Sequence, residues 1–192
     1  MDWQMARPWN ALILTPLLMV SSAAAIGQAP VMPFEDRGAC PLEQCTYGSW
    51  TAKADIVAYQ EPTDRSPIAF NIRRGESVTA LTGVVVISKP GRARIDSPSL
   101  TARAGDTVYL LTPHGEGEFK AWNNGNVFVV DTSQFKHPDT RGAGYSSCQE
   151  RNTCRGEVLA YPKHIWRVQL RNRDGKTGWT TQALRFSQGQ SP

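Results

Sequence analysis

The chain has 192 residues, a formal net charge of +4, 16 Gly and 13 Pro. That length suits one domain, or two small ones sharing a core, and the Gly and Pro content leaves long helices no room: the longest run free of both is Ser49–Glu61, 13 residues. The basic residues are scattered rather than interleaved with exposed aromatics, which argues for solvated strand faces and against a nucleic-acid partner.

Residues 1–25 read as a secretory signal peptide. Arg7 supplies a positive start, "ALILTPLLMV" (11–20) an apolar stretch, and Ala23 and Ala25 the small residues of a cleavage site. A membrane span needs about 20 apolar residues, so this stretch, with Pro16 inside it, is too short to span. Cleavage after Ala25 makes Ile26 the expected mature start, with no Cys there to carry a lipid. The expectation is a secreted or periplasmic protein with no membrane span after cleavage.

Cys40, Cys45, Cys148 and Cys154 follow. An even count in an exported chain points to disulfides, with three connectivities open. The spacings fit neither a zinc knuckle nor a Cys-x-x-Cys redox pair, so no metal and no cofactor is expected. Closeness in sequence favours Cys40–Cys45 and Cys148–Cys154.

Beyond Cys45 the apolar residues fall in short runs bounded by turn signals, the pattern of an all-β chain. "GESVTALTG" from Gly75 is echoed by "GDTVYLLTP" from Gly105, matching in Gly, an acidic residue, Val, Leu and Thr. This suggests an internal duplication. In "EFKAW" (118–122) and "VFVVD" (127–131), Asn124-Gly125 signals a two-residue hairpin turn. That hairpin puts Phe119, Phe128 and Val130 on one face and Trp122, Val127 and Val129 on the other. Two apolar faces imply that one fills a barrel and the other packs on a neighbouring unit.

"WRVQLRNRDGKTGWT" (166–180) reads as a second hairpin around Asp174-Gly175. In the register of a two-residue turn, Leu170 faces Trp179, which is then buried with Trp166 and Val168. Arg167, Gln169 and Arg171 point to water.

Together "GESVTALTG" and "WRVQLRNRDGKTGWT" resemble the bacterial Src-homology-3-like domain. That family places a Gly-acidic-x-Val strand before a Trp-x-Val strand and closes a small barrel with Gly-x-x-Gly-Trp. Here about eighty residues separate the motifs, so a second unit is inserted between them. "CPLEQCTYGSW" also looks like the Cys-Pro-x-x-x-Cys segment that precedes the barrel in secreted bacterial proteins carrying this domain. The resemblance implies a disulfide-stapled, all-β fold: a small Src-homology-3-like barrel with an inserted second barrel-like β unit. Its parts are an N-terminal disulfide-bearing segment (26–55), then the barrel over 56–187, built from 56–87 and 158–187 around an insertion at 88–157. A disordered tail follows at 188–192.

No catalytic set stands out. His114 with Glu116 and Glu118 is the best candidate metal or acid–base group, but one His and two acids on a turn are more often solvated. A Gly-rich phosphate loop is missing, because "GEGEF" lacks the Lys and the helix. Barrels of this family bind in grooves lined by aromatics, and resemblance and strand position nominate Tyr59, Tyr109, Trp122 and Trp166. The expected function is therefore an exported, non-catalytic module binding a cell-envelope component, either wall peptide or a protein partner. The alternative is a secreted envelope hydrolase with no recognisable catalytic motif.

Overall fold

The computed structural model describes residues 28–42, 45–99, 101–138, 148 and 152–188; the predicted signal peptide lies outside them. The fold is all-β. Apart from one turn of 3-10 helix at Ala183–Arg185, its described elements are strands in two sheets.

The first sheet contains β1 (Phe34–Arg37), β2 (Gly48–Ala52), β3 (Ile56–Tyr59), β4 (Ile68–Ile72), β5 (Ser77–Lys89), β12 (Lys163–Arg171), β13 (Thr177–Thr180) and β14 (Phe186–Gln188). Its order is β14-β2-β5-β12-β13-β3-β4, with β1 also on β5. The second contains β6 (Arg92–Ile95), β7 (Thr107–Gly115), β8 (Glu118–Asn123), β9 (Asn126–Asp131), β10 (Phe135–Lys136) and β11 (Gly156–Ala160), in the order β10-β11-β6-β7-β8-β9.

Period-two patterning explains the strands. In β2, Trp50 and Ala52 are buried while Ser49 and Thr51 are exposed; in β6, Ala93 and Ile95 alternate with exposed Arg92 and Arg94. The spine is β5. It pairs β2 over Ser77–Ala80 and β1 over Val84–Ile87 along one edge, and β12 along the other. Its register against β12 slips between Ala80 and Thr82. Such a bulge bends the strand, and the first sheet curls into a half-barrel. Inside the curl Trp50 packs edge-on to Trp166, ring centroids 6.0 Å apart, and against Phe186 at 5.6 Å. Trp50 is the largest fully buried side chain, and its indole N–H donates to the Thr46 carbonyl at 2.8 Å. The second core is built from smaller residues, among them Ala93, Ala102, Ala121, Val108 and Val158.

The sequence echo has a backbone counterpart. In the first copy Gly75 N–H donates to Ala52 O (2.8 Å), Ala52 N–H to Glu76 O (2.9 Å), and Arg73 N–H to the Glu76 carboxylate (3.1 Å). In the second, Gly105 N–H donates to Ile95 O (2.8 Å), Ile95 N–H to Asp106 O (2.9 Å), and Arg103 N–H to the Asp106 carboxylate (2.8 Å). The register continues to match. Trp50 pairs Val78 as Ala93 pairs Val108, and Ala80 pairs Leu170 as Leu110 pairs Ala121. The closing strands agree too, since Phe186 pairs Ala52 as Gly156 pairs Ile95. Thus β14-β2-β5-β12-β13 and β11-β6-β7-β8-β9 are the same antiparallel path.

The hairpin β8–β9 has the predicted two-residue turn. Asn124 and Gly125 both have positive φ, and Trp122 faces Val127. The hairpin β12–β13 does not. Gly175 has positive φ but Asp174 does not, and Gln169 rather than Leu170 faces Trp179. Gly175 N–H donates to Asn172 O at 3.1 Å, and the Asn172 side-chain oxygen accepts from Lys176 N–H at 2.9 Å. The asparagine thus holds a type I turn followed by a left-handed glycine, one residue longer than the turn expected. A one-residue slip moves side chains to the other face. Trp166, Val168 and Leu170 are buried as predicted, but Trp179 is only half-buried, on the side of Arg167 and Gln169.

Both predicted disulfides, Cys40–Cys45 and Cys148–Cys154, are present, with Cα atoms 5.6 and 4.8 Å apart. The sheets are tied together through the N-terminal segment. The Lys120 ammonium sits 3.0 and 2.9 Å from the two Asp36 carboxylate oxygens, and Gln28 N–H donates to the Asn124 side chain at 3.0 Å. Among the described residues no helix is long and apolar enough to cross a membrane.

Candidate functional site

The four aromatics expected at a groove separate into three places. Trp166 is buried in the first core, so it serves packing. Its indole N–H lies beside the Tyr47 hydroxyl, which donates to the Ala39 carbonyl at 2.6 Å. Burial raises the Tyr47 pKa, the Trp166 N–H partly offsets this, and the Asp36 charge adds to the rise. Tyr59, half-buried, ends β3 and pairs with Trp179 on the edge of β13.

Tyr109 and Trp122 do come together. They face each other across β7 and β8, with Val127 the next residue in the same row. The row behind holds Lys120 and Val129. The opposite face of this hairpin, with Phe119, Ala121, Phe128 and Val130, packs into the second core. That half of the two-face expectation is met. The other half is corrected: Val127 and Val129 are 50% and 48% exposed, so this face is not packed on a neighbouring sheet. Elsewhere this face meets the N-terminal segment, where Trp122 N–H donates to Gln28 O at 2.8 Å and Lys120 meets Asp36 of β1.

Around the edge of β9 lies a feature that the sequence did not reveal. A cleft of about 510 Å³ is bounded by Phe128, Val130, Ile95 and Phe135 on its apolar side. Ser97, Ser99 and Thr101 bring hydroxyls, and Asp131 and Arg155 bring charge. The loop between β6 and β7 is short; it lines the cleft through Ser97, Ser99 and Thr101 and is held by the Asn123 side chain, which donates to Thr101 O at 3.2 Å. Arg94 is engaged by Asp96 and Glu157, each at 2.9 Å. Arg155 makes no ion pair among the described residues. The turn-like composition of residues 96–106, set against the longer stretch after Ala52, was the one available signal for this opening.

His114 is exposed on β7. No group of three or more His, Cys, Asp or Glu that could hold a metal occurs among the described residues. Glu116 and Glu118 instead share an open depression with Asp131 and Ser133 at the end of β9. His137 Nδ1 lies 2.5 Å from the Tyr161 hydroxyl, and burial raises the Tyr161 pKa.

Compared with known proteins, the chain matches no family model, no curated protein and no solved structure.

Proposed function

We propose that this chain is an exported, non-catalytic binding module for a cell-envelope component, wall peptide or protein, built as one Src-homology-3-like barrel carrying a second inside it. The observation that carries the binding reading is the cleft beside β9 together with the exposed Val129 that lines it. Apolar walls with a few hydroxyls and a cation that lacks an ion pair among the described residues are the makings of a recognition surface. Two disulfides support export, because such bonds persist in oxidising compartments. The five-strand path that turns through a 3-10 helix and returns β14 to β2 supports a small barrel. The extra turn residue, Arg173, is a departure from the motif that suggested it.

The test is retention of the purified oxidised chain on isolated peptidoglycan and on detergent-extracted envelope protein. Retention on either is expected, and Arg155→Ala, at an exposed residue of the cleft, should reduce it with little loss of melting temperature. Absence of retention on both, or lysis of wall material in a zymogram, would overturn the reading.

A further inference from the structure

We infer that the outer edge of β9 and the cleft beside it receive an extended peptide segment of another protein, which adds antiparallel to β9 as β3 adds to β13. This rests on the binding-module reading and names its ligand class.

The backbone supplies the first argument. Asn123 and Asn126 flank the two-residue turn, so they exchange hydrogen bonds, and bonded pairs alternate from there along the ladder. Val127, Val129 and Asp131 therefore turn their N–H and C=O groups away from β8. No strand pairs with that edge among the described residues. In the first sheet the equivalent of Val129 is Trp179, and its outward groups meet Tyr59 of β3. The chain itself shows what this kind of edge accepts.

Side chains supply the second. In the first sheet β3 and β4 press so closely on β13 that a Cβ at Gly178 would lie 3.0 Å from both Ala58 Cβ and Ala69 Cβ. The equivalent residue in the second sheet is Phe128, a wall of the open cleft. An incoming strand thus needs a small residue beside the Phe128 ring and apolar neighbours over Val130.

Charge supplies the third. Glu116, Glu118 and Asp131 gather at the C-terminal end of β9, and none forms an ion pair among the described residues. A strand running antiparallel to β9 brings its N-terminal end there, so a basic residue at that end is favoured. The ligand class is an extended segment, basic at its start and apolar with small residues beyond.

A peptide copying residues 53–61 with Asp55→Lys, KAKIVAYQE, has this chemistry and is the probe: with its tyrosine opposite Val129, as Tyr59 lies opposite Trp179, the new lysine falls beside the acidic end. Titrating its dye-labelled form with the full oxidised chain should give saturable anisotropy, and a scrambled peptide should not. Val129→Pro removes one edge N–H without taking a donor from the β8 ladder. The loss of one such bond should weaken binding roughly tenfold. N-methylation of the probe's tyrosine amide should do the same, and it cannot disturb the protein's fold. No binding by the unaltered chain, or binding indifferent to both changes, would overturn the proposal. So would a dimer that Val129→Pro dissociates, because a second copy would then be the occupant. If the probe fails while peptidoglycan is still retained, only this inference falls; if the probe binds while no envelope material is retained, the inference stands and the envelope reading falls.

Discussion

The two sheets follow one strand path and fill it differently. Around β2 and β5 the interior holds Trp50, Trp166 and Phe186, and the outer edge of β13 is covered by the chain's own β3–β4 hairpin. Around β6 and β7 the interior holds mostly alanine and valine, and the corresponding edge at β9 is open among the described residues. The frame is common because the same acidic turn, Glu76 in one and Asp106 in the other, fixes how the first two strands meet. What differs is the chain between those strands, residues 53–74 against 96–104. The longer connection folds back as a hairpin and seals its unit. The shorter one, held by Asn123 at Thr101, lines a cleft instead. Register is therefore a property of the frame, whereas openness is a property of one loop.

Trp50 tests the difference in filling most severely. Its equivalent by register is Ala93, so Trp50→Ala gives the first sheet the residue of the second. A fully buried tryptophan removed from a packed core should cost about 3–5 kcal/mol. Urea unfolding followed by circular dichroism would read it. A loss under about 1 kcal/mol would mean that the ring cluster is not what stabilises the first sheet.

How much of this was legible follows from which interactions are local. The Asn124-Gly125 hairpin and its two faces were readable because the turn needs two positive φ values and the sequence supplies residues that accept them. Trp166, Val168 and Leu170 were readable from alternation, and both disulfides from closeness in sequence. The register of Trp179 was not, because Asp174-Gly175 suits two turns, and the choice rests on Lys176 N–H donating to the Asn172 side chain. Trp50 was not, although Gly48, Trp50 and Ala52 alternate correctly; nothing nearby says that Phe186 closes over it. The β9 cleft was the least legible. It is walled by residues of β6, the β6–β7 loop, β9 and β10 that lie far apart in sequence, and no residue of β9 announces an edge without a partner strand among the described residues.

Gly178 probes the sealed edge directly. An added methyl there would sit 3.0 Å from both Ala58 Cβ and Ala69 Cβ, so Gly178→Ala must push the hairpin off β13 or strain the strand. Overpacking of this kind should cost about 1–3 kcal/mol. Amide exchange should also rise at Tyr59. In the second sheet the equivalent residue, Phe128, already carries a full side chain between the second core and the cleft, with no hairpin pressed on it among the described residues. Unchanged exchange at Tyr59 in Gly178→Ala would erase the distinction between a sealed and an open edge.

The smallest expected effect distinguishes the sheets by pH. Tyr47 lies against Trp50, with ring centroids 6.3 Å apart, and its pKa is raised above 10.0, first by burial and then by the Asp36 charge, against the opposing Trp166 N–H. A phenol whose pKa is raised on folding resists ionisation in the native state while the unfolded chain ionises freely. Its contribution is thus fully present below the unfolded value and is lost as pH climbs through the native one. Urea midpoints should hold steady up to pH 10.0 and decline beyond it. In Tyr47→Phe the decline should be shallower, though the variant starts lower by about 1 kcal/mol for the lost bond to the Ala39 carbonyl. Tyr161, raised by burial alone, offers the comparison beside the second sheet. Tyr161→Phe should leave most of the alkaline decline in place, because no second charge opposes ionisation there. If both variants flatten the curve equally, alkaline sensitivity belongs to tyrosine burial in general and not to the tryptophan-lined first core.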